Sequence, residues 1–139
     1  MLHEYFTEMT EEILDTKGVL DKFIGDAIMA FWGAPIDDPR QAENAILAAM
    51  SMTKKLEGLN KEFMEKWGVQ INIGIGIYTG RAVVGNIGSE LRFDYTVIGD
   101  TVNVAARLEG LNKEYKTQII IGESTKNKAE DKFKFKALG

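Results

Sequence analysis

Asn103 and Arg107 stand four residues apart, a spacing that puts both side chains on one face of a helix, about 6 Å apart at their Cβ atoms. They close the run Arg92-Phe93-Asp94-Tyr95-Thr96-Val97-Ile98-Gly99-Asp100-Thr101-Val102-Asn103-Val104-Ala105-Ala106-Arg107. This run reads as a strand, a tight Gly-Asp turn and a helix. Val102, Val104, Ala105, Ala106, Leu108 and Leu111 supply the packing faces, so burial does not account for the amide and the guanidinium. Such a pair is suited to hold something outside the helix, although Asn and Arg are also common on solvated helices. Asp100 is placed to cap the helix by accepting hydrogen bonds from its first free N–H groups.

A second polar constellation lies upstream. Val19 to Ile24 and Ala27 to Trp32 are two apolar-rich runs separated by Gly25-Asp26. A two-residue loop with Gly at the position needing positive φ predicts a β-hairpin with a carboxylate at its tip. Gly-Asp is also ordinary turn chemistry. Lys22 is the odd residue, because strict alternation places it on the face of Leu20 and Ile24, where a buried ammonium is costly. It needs solvent or a ligand.

Together with Gly74-Ile75-Gly76-Ile77-Tyr78-Thr79-Gly80, Gly85-Asn86-Ile87-Gly88 and Gly33-Ala34-Pro35, these segments resemble the catalytic domain of the class III nucleotide cyclases, the adenylyl and guanylyl cyclases. The resemblance runs along almost the whole chain, in the family's motif order. It implies an α+β fold, a ferredoxin-like α/β sandwich with a mostly antiparallel sheet and helices packed on it. It also implies conversion of a nucleoside triphosphate to its 3′,5′-cyclic monophosphate with release of pyrophosphate. In that reaction the 3′-hydroxyl attacks the α-phosphorus in line, while charge grows on the phosphoryl oxygens and the leaving group.

Position by position, the resemblance makes Asp26 a metal ligand, Asn103 the residue that orients the ribose, and Arg107 the stabiliser of the charged phosphorus. Two ions, Mg²⁺ or Mn²⁺, suit hard oxygen ligands. Lys22 and Thr96 fall on the family's base-reading positions. A lysine can only donate, whereas a threonine hydroxyl can also accept, and adenine offers an acceptor at N1 and a donor at N6. The expected substrate is therefore ATP. The resemblance further implies a head-to-tail homodimer with composite sites, the metal Asp coming from one chain and Lys22, Thr96, Asn103 and Arg107 from the other.

Three departures go with the resemblance. The family's first metal-binding Asp lies on a strand before the helix that opens here, its triphosphate-binding Lys lies after a segment like 134–139, and Gly74 stands near a position where some members carry a basic residue. The expected reading is one partial catalytic domain over residues 1–139, truncated at the N-terminus and near the C-terminus, with the first strand missing and this segment alone inactive. A non-catalytic cyclase-like module that binds nucleotide or dimerises is the alternative.

The elements that must carry these residues follow from periodicity. Leu2, Tyr5, Phe6, Met9, Ile13 and Leu14 form an apolar helical stripe, with Gly18 as a stop. Asp38-Pro39 opens a long helix with Ala42, Ala45, Ile46, Ala49, Leu56, Leu59 and Phe63 as its buried stripe and Gly68 beyond its end. Met50, Met52 and Met64 are expected to pack. Ile71, Ile73, Ile75 and Ile77 alternate as a strand, and Thr117 to Ile121 form another. The glycine spacing after Gly74 misses the dinucleotide fingerprint, and the isoleucines alternate rather than opening a helix.

The 139 residues carry a net charge of -4, with 45% hydrophobic and 27% charged residues, which fits one globular domain and gives no sign of a nucleic-acid binder. Zero cysteines exclude disulfides and thiolate metal sites. His3, the single histidine, falls on the polar side of the first helix, and Lys126 to Lys128 and Lys132 to Lys136 read as a solvated face. With no signal peptide and no apolar run long enough to span a bilayer, a cytoplasmic segment without membrane contact is expected; the parent protein can still be membrane-anchored through other parts.

Overall fold

The computed structural model describes residues 2–24, 27–34, 37–89, 92–129, 133 and 135–138. The first helix, α1 (Leu2–Asp15), turns Tyr5, Met9 and Ile13 inward. Leu14 is exposed, because it falls one residue past the stripe that Ile13 completes. The helix does stop before Gly18, but Lys17 supplies the left-handed residue, at φ 68, while the Gly18 N–H donates back to the Ile13 carbonyl at 2.9 Å. Gly18 itself is required by packing. A Cβ there would lie 2.6 Å from the Trp32 ring, whose indole N–H donates to the Thr16 carbonyl.

The hairpin follows as β1 (Val19–Ile24) and β2 (Ala27–Phe31), paired antiparallel from Val19↔Phe31 to Ile24↔Ala27. That pairing is what a two-residue loop requires; Gly25 and Asp26 themselves lie outside the described residues. Alternation is broken within β1. Leu20 pairs with Ala30 and Lys22 with Met29, so Asp21 is an extra residue in a β-bulge. Lys22, which needed solvent or a ligand, is exposed, as are Phe23 and Ile24 beside it at the end of the strand.

The long helix α2 (Gln41–Trp67) begins three residues later than Asp38. Asp38, Pro39 and Arg40 form a turn ahead of it, in which Asp38 accepts from the Arg40 backbone N–H at 2.9 Å and from the Asn44 amide at 2.7 Å. These bonds hold the Asp38 carboxyl below the usual carboxylate range, the Arg40 N–H foremost. The predicted stripe is buried throughout, and Gly68 closes the helix at φ 65 with its N–H on the Met64 carbonyl. Of the three methionines only Met52 packs; Met50 and Met64 lie on the outer face and are about half exposed.

Residues 71–74 do not extend the strand, which is limited to β3 (Ile75–Ile77). The Asn60 amide takes both backbone groups of Ile71, at 2.8 and 2.9 Å, in place of a ladder partner. Ile71, Ile73 and Ile75 instead pack on the main core of Tyr5, Met9, Ile13, Met52, Leu56, Leu59 and Phe63. A second hairpin joins β4 (Val83–Ser89) to β5 (Arg92–Ile98), in register from Val83↔Ile98 to Ser89↔Arg92. Then come α3 (Asp100–Tyr115), β6 (Ile119–Ile121) and a short helix, α4 (Glu123–Lys128), where only a final segment was expected.

Among the described residues the strands form three two-stranded ladders: β1–β2 and β4–β5 antiparallel, β3–β6 parallel. With helices packed on them, the fold is the expected α+β class with mostly antiparallel pairing. Ala42, Ile46 and Ala129 form a smaller core against Ile77, Ile121, Phe133 and Phe135. The tail's two phenylalanines are thus anchors on that core rather than part of a solvated face; Lys126, Lys128 and Lys136 are exposed, and Lys132 and Lys134 lie outside the described residues. Among the described residues no helix is long and apolar enough to cross a membrane.

Candidate functional site

The helix that carries Asn103 and Arg107 is fixed at both ends and along its inner face. β5 delivers the chain to Gly99, whose φ of 135° with ψ 176° is a backbone conformation that side chains rarely adopt. Gly99, not Asp100, is the N-cap; Asp100 is the first helical residue, and among the described residues no side chain caps the helix. Its acidic charge still suits the first turn. The Thr101 hydroxyl donates to the Arg81 carbonyl, tying the first turn to the chain ahead of β4.

Along its inner face α3 lies directly on β3. A Cβ on Gly76 would collide with the backbone at Ala105 and Glu109, which explains a glycine in the middle of a strand. At the far end, Asn112 is buried, 4% exposed. Its amide donates to the carbonyls of Ile75 at 3.1 Å and Glu109 at 3.0 Å, and its oxygen accepts from the Thr117 hydroxyl at 2.8 Å. Lys116, at φ 55, then ends the helix with its N–H on the Asn112 carbonyl. Sequence reasoning missed Asn112, because an asparagine near a helix end reads as a stop or a surface residue.

With α3 so seated, Asn103 and Arg107 are both exposed. Among the described residues neither side chain makes a hydrogen bond or ion pair. They remain the two-pronged feature expected from spacing, with their donors unspent. Thr96 sits in β5, opposite Gly85 of β4, and β5 approaches β1, the strand of Lys22. The two expected base-reading positions are thus on neighbouring strands, and β5 leads straight into the helix of Asn103 and Arg107. Lys22 Nζ lies 3.7 Å from Asp21 Oδ1.

Asp26, the expected metal ligand, lies outside the described residues. Among the described residues no group of three or more His, Cys, Asp or Glu side chains is arranged to hold a metal ion. The described donor set therefore does not hold a metal by itself.

The model of the adenylate and guanylate cyclase catalytic domain matches residues 1–139. Adenylate cyclase 1 of Rhizobium meliloti is 40% identical over all 139 residues, which span 21% of that protein's length. Among solved structures, the adenylyl cyclase CyaB from P. aeruginosa superposes with a TM-score of 0.84 at 33% identity, covering 94% of this chain and 67% of that one. The guanylyl cyclase Cya2 superposes with a TM-score of 0.83 at 38% identity, covering 94% of this chain and 65% of that one. The helix that presents the amide and the guanidinium is thus found in a nucleotide-cyclase fold. The chain belongs to the adenylate and guanylate cyclase catalytic domain family. Domains of this family use divalent metal ions.

Proposed function

We propose that the protein of which this chain is the catalytic domain converts ATP to 3′,5′-cyclic AMP and pyrophosphate. The observation that carries the proposal is the whole-length family match together with the exposure of Asn103 and Arg107, whose side chains bond to nothing among the described residues, on a helix packed against β3. In this reading Asn103 orients the ribose so that the 3′-oxygen faces the α-phosphorus, which is a positioning contribution. Arg107 places a planar, permanently charged donor where negative charge develops on the phosphoryl oxygens. The proton of the 3′-hydroxyl must leave as the new ester bond forms, and pyrophosphate departs as the old bond breaks.

Base choice rests on Lys22 and Thr96, since the relatives include both an adenylyl and a guanylyl cyclase. A donor from Lys22 and an acceptor from the Thr96 hydroxyl match adenine and mismatch guanine. The reading includes Mg²⁺ or Mn²⁺ with Asp26 as one ligand, a homodimer with composite sites, and a cytoplasmic location. The test is cyclic nucleotide formation from ATP and from GTP in the presence of Mn²⁺. Cyclic AMP formed in preference to cyclic GMP, and lost in Arg107→Ala, supports the reading. ATP binding without turnover in the complete protein sinks it in favour of a non-catalytic nucleotide-binding module.

A further inference from the structure

Consecutive side chains on an unbroken strand point to opposite faces, yet Lys22 Nζ reaches to within 3.7 Å of Asp21 Oδ1. The bulge resolves the contradiction. Asp21 is the extra residue between the Leu20↔Ala30 and Lys22↔Met29 pairs, and bulges are a means of re-aiming a side chain beside an active site. The two ends of the ion pair differ sharply in exposure: the Asp21 side chain is 1% exposed and that of Lys22 44%. A carboxylate withdrawn from water is held in place by its surroundings and needs charged or hydrogen-bonding partners. An ammonium on a flexible four-carbon stem has no preferred direction of its own.

We propose that Asp21 is a positioning residue that fixes the direction of the Lys22 ammonium, so that the lysine is aimed at the nucleotide base before substrate arrives. The proposal rests on the reading of Lys22 as a base-reading residue. Asp21 touches neither base nor phosphate in this scheme; it acts through Lys22. Its effect therefore falls on discrimination between ATP and GTP rather than on turnover in general.

Two measurements on the complete protein test it. In competitive acylation of lysines read by mass spectrometry, the Lys22 rate relative to exposed Lys113 rises about 3-fold in Asp21→Asn and stays at the parent value in Asp21→Glu. The ratio of kcat/KM for ATP over GTP falls about 10-fold in Asp21→Asn, approaching that of Lys22→Ala, whereas a purely structural defect would lower both substrates together. Unchanged acylation of Lys22 in Asp21→Asn overturns the proposal, and so does an unchanged ratio in Asp21→Asn when Lys22→Ala loses it. An unchanged ratio in Lys22→Ala instead rejects the base-reading role of Lys22, with the acylation result still judging the pair. If Asp21→Asn does not fold, the unmodified protein decides: Lys22 labels more slowly than Lys113, and equal rates overturn the pairing.

Discussion

Replacing Gly76 with alanine tests whether close backbone approach is what seats the functional helix. An ideal Cβ on Gly76 would stand 2.9 Å from Glu109 Cα and closer still to backbone atoms at Ala105 and Glu109. Non-bonded carbons rest at about 3.5–4.0 Å, so α3 must withdraw by about 1 Å or β3 must bend. No flexible side-chain end is available to give way. Overpacking of this kind costs about 1–3 kcal/mol, against which alanine recovers part of glycine's backbone entropy, leaving a net loss of about 1–2 kcal/mol. The same withdrawal displaces Asn103 and Arg107, and a misplacement of about 1 Å is worth about 100-fold in rate. Urea unfolding and initial rates of cyclic AMP formation measure the two effects. The control is Gly58→Ala in α2, where a Cβ meets nothing within 4 Å; it should gain about 0.5–1 kcal/mol with no change in rate. A Gly76→Ala protein as stable and as active as its parent would refute the seating argument.

If Arg107 and Asn103 act, as proposed, on charge and geometry that mature in the transition state, Arg107→Ala and Asn103→Ala lower kcat by about 100-fold or more with little change in KM; steady-state kinetics on folded protein checks this. Lys22→Glu combined with Thr96→Cys should move preference toward GTP, read as the ratio of kcat/KM values, and an unchanged preference removes both from the base pocket. Asn112→Ala leaves two carbonyls and a hydroxyl without their buried partner and should cost about 2–3 kcal/mol in urea unfolding. Because the Arg40 N–H, aided by the Asn44 amide and the charges of Lys17 and Arg40, lowers the Asp38 carboxyl, its contribution is present above the ordinary carboxylate range. It is lost as pH falls through the lowered folded value. Acid unfolding curves of Asp38→Asn should therefore lack that part of the pH dependence.

Local patterns made much of this fold legible. The α2 stripe from Ala42 to Phe63 and its stop at Gly68 follow from a 3.6-residue period and a left-handed cap, both properties of adjacent residues. The hairpin of β1 and β2 was legible for the same reason. What escaped depends on residues far apart in the chain. The parallel pairing of β3 with β6, the capture of Ile71 by Asn60 and the docking of Phe133 and Phe135 beside Ala42 leave no periodic trace. The bulge at Asp21 escaped as well, because an extra residue changes the pairing of a strand without changing its composition. Gly76 was visible as part of a glycine motif, but its purpose was not, because it lies in the backbone of α3.

The same contrast separates the chemistry of the candidate site from its support. Asn103, Arg107 and Lys22 are exposed groups whose types and spacing can be read from the chain. The buried amide of Asn112, the close backbone contact at Gly76 and the buried side chain of Asp21 fix where those donors point, and each works through a partner that only the fold supplies. A helix held by backbone contact and a buried amide can keep an amide and a guanidinium aimed outward without their own side chains being tied down. That leaves their hydrogen-bonding capacity for a substrate. A catalyst that depends on positioning and charge, as phosphoryl transfer does, needs this division between free donors and a rigid mount.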